Sequence, residues 1–146
     1  MGCKSTSART HSVSIDCPAK DAYEFLSLPE NFPKWASGLG TRLRRGEIDW
    51  IVETPEGPAS VRFTERNSHG VLDHSVRLPG GESIYIPLRL VASGERCELA
   101  LTLFRPPGVS DEKLAADAEW VMRDLRAAKR ILEALRIGEC DEAING

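Results

Sequence analysis

The length and composition of the chain fit a single globular domain. It has 146 residues, and one domain typically takes roughly 100–200 residues. Hydrophobic residues make up 41% and charged residues 28% of the chain, which excludes a wholly disordered, coiled-coil or collagen-like protein. Lys and Arg number 19 against 22 Asp and Glu, for a net charge of −3. Without the basic excess of nucleic-acid-binding proteins, we expect no nucleic-acid partner.

Signals for a membrane, a metal or a disulfide framework are missing from the sequence. No run approaches the ~20 consecutive apolar residues of a membrane helix, and the first residues lack the apolar stretch of a secretory signal, so we expect no membrane span and a cytoplasmic location. The four cysteines are dispersed without a CxxC spacing, and the three histidines share no local spacing. We therefore expect neither a metal nor another cofactor.

The N-terminal part of the sequence predicts one strand and two short helices. Residues 1–10 are polar and aperiodic and are predicted to be disordered. Apolar and polar residues alternate over 11–16, which predicts a strand. Helical spacing of apolar residues follows over 19–27 and again over 30–35, and each of these segments is preceded by a proline, a residue suited to the first turn of a helix.

The middle of the chain predicts an antiparallel meander. Runs with strand-like alternation are separated at regular intervals by glycine- and proline-containing turns. None of the connections is long enough for a crossover helix, so consecutive strands should pair antiparallel. The predicted strands cover residues 41–45, 48–54, 59–67, 71–78, 83–91 and 96–105.

The last predicted element is a long amphipathic helix. Ser110 is a suitable N-cap with two acidic residues after it, and apolar residues recur every three or four positions from Leu114 to Leu135. The helix is predicted over 111–137, about 40 Å long at 1.5 Å per residue, with Gly138 as its C-cap. We expect one domain over residues 11–137 and a flexible tail over 138–146.

The order of these elements, together with three stretches of sequence, resembles the START-like, Bet v 1-like superfamily. The stretches are residues 13–26 (VSIDCPAKDAYEFL), 29–36 (PENFPKWA) and 120–125 (WVMRDL), and they are similar to bacterial SRPBCC proteins of the polyketide cyclase/dehydrase-like type. The resemblance implies an α+β helix-grip fold, in which a curved antiparallel sheet wraps around the C-terminal helix with an apolar ligand cavity between them. No catalytic residue of the cyclases is matched by a motif.

The strand registers predict which side chains line such a cavity. Alternate residues of a strand share a face, and the more apolar face should look toward the helix. Aromatic residues near the expected cavity entrance and on the flank of the helix complete the set. The predicted ligand-binding residues are Trp35, Phe63, Glu65, His74, Val76, Ile86, Leu88, Leu101, Trp120, Val121 and Leu125.

Glu65 and His74 are the polar residues on the predicted inner face. If the hairpin between the two strands keeps both residues inside, the numbers of directly paired residues must sum to 137 or 139. In either register the side chains of Glu65 and His74 are within reach of each other. A carboxylate beside an imidazole in a cleft is a candidate for acid–base catalysis. A structural ion pair, or a position on the rim open to water, is the alternative.

Three classes of function are consistent with the sequence. The first is binding of a small hydrophobic molecule, such as a lipid, polyketide or aromatic compound, in the internal cavity. The second is a polyketide cyclase/dehydratase-type enzyme in which Glu65 and His74 transfer a proton. The third is a protein interaction module that uses the outer face or an edge of the sheet, including as a homodimer. The aliphatic inner face favours the first.

Overall fold

The computed structural model describes residues 8–36 and 43–145, and the side chains up to residue 136. Eight strands and three α-helices follow one another, with a 3₁₀ turn at Pro29–Asn31 between the first two helices. The elements are β1 (Ala8–Ile15), α1 (Ala19–Leu26), α2 (Phe32–Trp35), β2 (Leu43–Arg45), β3 (Trp50–Thr54), β4 (Gly57–Phe63), β5 (His74–Arg77), β6 (Ser83–Ile86), β7 (Leu88–Ser93), β8 (Arg96–Phe104) and α3 (Asp111–Asn145).

The strands form a curved antiparallel sheet with a break at Pro87. One ladder has the order β2-β3-β4-β5-β6 and the other β1-β8-β7. The sequence predicts a single strand over 83–91, but Pro87 has no backbone N–H to donate to a ladder, and the strand is divided there into β6 and β7. Hydrogen bonds from Leu72 N to Leu88 O (2.8 Å) and from Leu90 N to Gly70 O (2.9 Å) join β7 to the segment that precedes β5.

Strand β1 begins inside the segment predicted to be disordered. Ala8, Arg9 and Thr10 pair with the last residues of β8, at Phe104, Leu103 and Thr102. Local polarity misled the prediction because strand formation depends on the partner strand more than on intrinsic preference. The prediction of disorder is therefore wrong for residues 8–10, and residues 1–7 lie outside the described part of the chain.

Helix α3 is longer than predicted. It continues to Asn145 instead of ending near residue 137, which gives it a length of about 52 Å. Gly138 lies within the helix, since glycine lowers helix stability by only about 1 kcal/mol relative to alanine and does not by itself end a helix. The predicted C-cap at Gly138 is wrong.

Side chains of α3 cover part of the open edge of β1. Lys129 Nζ donates to Ser14 O at 2.7 Å, and Glu133 Oε2 accepts the backbone N–H of Asp16 at 2.9 Å. The two helix residues also pair with each other at 2.7 Å. Two backbone groups at the edge of the sheet are therefore satisfied by the helix.

The apolar residues form two clusters. The larger lies between α3, α1, α2 and strands β1, β7 and β8, and its centre contains Leu99, Leu125 and Leu132, each at most 2% exposed. The spacing of Leu125, Ala128 and Leu132 confirms the apolar stripe predicted for this part of the helix. The smaller cluster lies on β3, β4 and β5. In the described residues, no helix is long and apolar enough to span a membrane.

Candidate functional site

A small cavity lies where α1 and α2 meet the inner face of the sheet. Helix α1 supplies its last residues, α2 supplies two aromatic rings, and β4, β5 and β7 supply inward side chains. We call it the aromatic cavity; it is lined by Leu26, Ser27, Phe32, Trp35, Phe63, Thr64, Leu72, His74 and Leu88. Its volume is about 10 Å³, close to the minimum that holds one water molecule.

The aromatic rings are held by packing around Phe32. Phe32 and Trp35 are three residues apart on α2, so both point to the same side of the helix, and they are 5% and 4% exposed. The ring centroid of Phe32 lies 5.4 Å from that of Trp35 and 5.2 Å from those of Phe63 and His74, each in an edge-to-face arrangement. The short helix α2 therefore positions the wall of the cavity that faces the sheet.

His74 is a buried imidazole whose surroundings favour the uncharged form. Its side chain lies opposite Phe63 on β4 and Ile86 on β6, and burial lowers its pKa from the usual value. Nδ1 lies 3.3 Å from the carbonyl oxygen of Leu72. Because a carbonyl can only accept, this contact favours the tautomer with the proton on Nδ1 and leaves Nε2 as an acceptor.

Two other polar atoms in the cavity wall are buried and unsatisfied. Trp35 Nε1 and Ser27 Oγ have no hydrogen-bond partner among the described residues. Leaving a buried donor without a partner costs roughly 1–3 kcal/mol. The cavity thus combines an apolar wall with an indole N–H and a hydroxyl that are able to bond a ligand.

The predicted contact between Glu65 and His74 is not formed. Strands β4 and β5 pair in the register that sums to 137, one of the two expected, with Phe63 opposite His74. Strand β4 ends at Phe63, and Glu65 lies beyond that end with an exposed side chain. Among the described residues, no hydrogen bond or ion pair joins the two groups, and the imidazole of His74 hydrogen-bonds Leu72 O instead.

The other predicted ligand-binding residues lie in different surroundings. Trp35, Phe63, His74 and Leu88 line the aromatic cavity. Ile86 and Val121 are half-buried at the margin of the larger cluster, and Leu101 and Leu125 lie inside it. Val76 belongs to the smaller cluster, and Trp120 is 46% exposed on α3. Sequence reasoning did not assign Leu26, Ser27, Phe32, Thr64 and Leu72 to the cavity, although the three-residue spacing of Phe32 and Trp35 was a usable signal.

Strand alternation places Asp73, the neighbour of the inward His74, on the outer face of the sheet, where a solvated side chain is expected; the structure instead buries it. Its side chain is 2% exposed and accepts hydrogen bonds from Arg89 Nε and Nη2, both at 2.8 Å, from the backbone N–H of Leu88 at 2.9 Å and from the hydroxyl of Tyr85. The Arg89 guanidinium, above all, lowers the pKa of Asp73 to about 2. The sheet register places Asp73 opposite Pro87. Its carboxylate therefore accepts the backbone N–H of Leu88, the residue directly after the strand break.

A surface groove of about 520 Å³ lies between α1, the turn after β4, and β7. Its polar groups mostly bond one another. Tyr23 Oη accepts the backbone N–H of Asn67 at 2.8 Å, and Arg66 forms an ion pair with Glu24 and lies over the Tyr23 ring. These contacts attach α1 to the hairpin, which is a structural role.

A third cavity, which we call the sheet–helix cleft, lies between β1, β8 and the first turns of α3. Its volume is about 280 Å³. It is lined by Arg9, His11, Leu103, Arg105, Asp111, Leu114, Ala115 and Ala118. None of these residues was predicted as a site residue. Within the described residues, no group of three or more side chains could hold a metal ion.

The arrangement of one curved sheet around a long helix, with cavities along the inner face, defines a helix-grip domain. No family model matches the sequence, and no curated protein matches it. Several solved structures match the fold. A START superfamily protein from Mycobacterium smegmatis has a TM-score of 0.61 at 12% identity, covering 88% of this chain and 98% of its own. Ara h 8.0201 has a TM-score of 0.62 at 11% identity, covering 88% and 99%.

The fold is also similar to the solved structure of the di-domain ARO/CYC BexL from the BE-7585A biosynthetic pathway. It has a TM-score of 0.62 at 15% identity, and the match covers 85% of this chain and 45% of the BexL chain. The chain therefore has the START-like, Bet v 1-like helix-grip fold, as its sequence predicted. At these identities the matches establish the fold, and function has to come from the site.

Proposed function

We propose that the protein binds a small, mainly apolar molecule that carries a carbonyl or hydroxyl oxygen, and that it binds it in the aromatic cavity. The observation that supports this most is the indole N–H of Trp35, which is buried in the cavity wall and has no partner in the described part of the chain. A ligand oxygen at this point would satisfy the donor. Ser27 Oγ and His74 Nε2 offer a second polar contact beside it.

The walls and the size of the cavity indicate how a ligand would enter. Occupied ligand sites usually measure roughly 300–1,000 Å³, so side chains must move before anything larger than a water fits into about 10 Å³. Helix α2 has only four residues, too few for a stable helix by itself. Displacement of Phe32 and Trp35 with α2 is therefore the least costly way to open the cavity.

Binding without catalysis fits the site better than a cyclase reaction does. His74 is the titratable residue among those that line the cavity, and Glu65, the predicted acid–base partner, is exposed beyond the end of β4. General acid–base catalysis needs the proton donor or acceptor within about 2.6–3.2 Å of the reacting group. The lining residues supply hydrogen bonds and apolar contact, which are the requirements of a binding protein.

Titration with 2-acetylnaphthalene, an apolar ketone, tests the proposal. The chain has three tryptophans, so three indole N–H resonances can be followed by ¹⁵N NMR. The Trp35 resonance should move downfield as its N–H bonds the ketone, and Trp35→Phe should weaken binding while it keeps an aromatic ring. Trp120→Phe is the matched control because Trp120 is 46% exposed on α3.

The result that would contradict the proposal is equally direct. If 2-acetylnaphthalene binds without a change in the Trp35 resonance, or if Trp35→Phe binds as well as Trp120→Phe, the aromatic cavity is not the binding site. Native mass spectrometry of the purified protein adds a second observation, since a retained small molecule should disappear from the Trp35→Phe variant and persist in Trp120→Phe.

A further inference from the structure

We propose that the sheet–helix cleft is a second binding site, which holds the carboxylate of an amphipathic monocarboxylic acid against Arg9 and His11. The inference goes beyond the proposed function, because the cleft shares no lining residue with the aromatic cavity. It depends on the placement of β1, which begins earlier than its sequence predicted.

The backbone places Arg9 and His11 side by side in the cleft. Both belong to β1 and pair with Leu103 and Leu101 of β8. Two residues apart on a strand, they lie on the same face and about 6.6 Å from each other. The helix opposite presents small side chains at Ala115 and Ala118, and this leaves open the space that larger residues would fill.

The polar groups of the cleft are incompletely paired. His11 Nε2 is buried and has no hydrogen-bond partner among the described residues. Arg9 is exposed, and the structure gives it no ion pair within the described part of the chain. The remaining charges, Arg105 and Asp111, pair with each other at 2.7 Å, and Arg105 also bonds Val109 O.

The unpaired groups determine the chemistry of the ligand. Arg9 leaves a net positive charge in the cleft once Arg105 and Asp111 have neutralised each other. An arginine fork matches the two oxygens of a carboxylate, and a carboxylate oxygen would also accept a hydrogen bond from the N–H of His11 at Nε2. The wall formed by Leu103, Leu114 and Ala118 suits an apolar chain. A volume of about 280 Å³ is near the lower end for ligand sites, which favours a small acid.

The two cavities are separate enough to be observed independently. Arg9 pairs with Leu103 of β8 in one ladder, and His74 pairs with Ile86 of β6 in the other. The two cavities have no lining residue in common. Each of the three histidines thus reports on a different place, with His11 in the cleft, His74 in the aromatic cavity and His69 exposed in a turn.

The test compares octanoate with 1-octanol, which has the same chain length without the charge. Histidine ring resonances identify the site, and calorimetry gives the affinity. Octanoate should shift the His11 ring and leave His69 in place, and 1-octanol should bind more weakly. Arg9→Gln should weaken octanoate binding about ten-fold, equivalent to about 1.4 kcal/mol, with binding of 1-octanol unchanged. Ala118→Leu, which fills the cleft, should abolish the His11 response to both.

Arg77→Gln is the matched control, because Arg77 is an exposed arginine on β5 with the same charge. The inference is overturned if octanoate fails to shift His11, if it shifts only His74 or His69, or if Arg77→Gln weakens its binding as much as Arg9→Gln. The 2-acetylnaphthalene titration at Trp35 is independent of these outcomes. Either site can therefore fail while the other stands.

Discussion

Replacement of Asp73 by asparagine tests whether the buried carboxylate stabilises the break between β6 and β7. Asp73 is 2% exposed and binds Arg89, Tyr85 and the backbone N–H of Leu88. Asparagine keeps the shape of the side chain but removes the charge and turns one acceptor oxygen into a donor that faces other donors. Arg89 is half-exposed and can regain water, so the loss comes mainly from the buried side chain.

The expected magnitude follows from the pKa. The carboxyl pKa falls from 3.8 to about 2 in the folded protein, and one pKa unit corresponds to about 1.36 kcal/mol, so the ionised form contributes about 2 kcal/mol. Because the folded-state pKa is the lower one, this stabilisation is complete above about pH 4 and is lost as the pH falls through about 2. Asp73→Asn should therefore lower the free energy of unfolding at pH 7 by about 2–3 kcal/mol.

Urea-induced unfolding, followed by circular dichroism at several pH values between 7 and 2.5, measures this difference. Glu53→Gln is the control, because its ion pair with Arg44 is half-exposed on both sides and such pairs contribute about 1 kcal/mol or less. The difference between wild type and Asp73→Asn should narrow below pH 4. If Asp73→Asn is no more destabilising than Glu53→Gln, or if its effect is the same at pH 7 and pH 2.5, the carboxylate does not stabilise the strand break.

Three further predictions concern stability and use the same unfolding assay. Since burial lowers the pKa of His74, protonation favours the unfolded chain, and stability should fall as the pH drops below about 6.5. His74→Phe should reduce that fall. If the pH profile of His74→Phe equals that of the wild type, His74 is not a buried group that resists protonation. Leu125→Ala, at 0% exposure, should cost about 2–5 kcal/mol, whereas Leu135→Ala, at 51% exposure, should cost far less; equal losses would contradict the described core. Gly70 and Gly94 both have positive φ, but a Cβ at Gly70 would lie 2.2 Å from a backbone oxygen of β7, whereas one at Gly94 would meet open space. Gly70→Ala should therefore be more destabilising than Gly94→Ala. The reverse order would contradict the close approach of Gly70 to β7.

The sequence predicted the fold because the fold depends on periodicity, which is local. The alternation of the strands and the spacing of Leu125, Ala128 and Leu132 each place apolar residues on one face. Sequence reasoning also selected Trp35 and His74, and the structure places both in the wall of one cavity. Their polar atoms point to ligand chemistry only after packing has shown which of them lack partners.

The errors concern features that depend on distant residues. Asp73 has the strand position of an exposed residue, and its burial follows from Pro87 and Arg89, which come more than ten residues later. Glu65 has the position of an inward residue, but β4 ends before it. Arg9 was assigned to a disordered segment because its pairing partner, Leu103, is far away in the sequence. Alternation along one strand contains no information on where its partner begins or breaks.

The pairing of Lys129 and Glu133 with β1 also affects how the protein behaves when it is cut or made as a fragment. These side chains hydrogen-bond the carbonyl oxygen of Ser14 and the backbone N–H of Asp16 at the edge of the sheet. A chain that ended before Lys129 would leave this edge open beside the apolar residues Val13 and Ile15, and an open edge next to apolar residues pairs readily with other strands. During synthesis, the sheet is complete in sequence at Phe104, well before this cover is made, so the nascent domain is most prone to self-association in that interval.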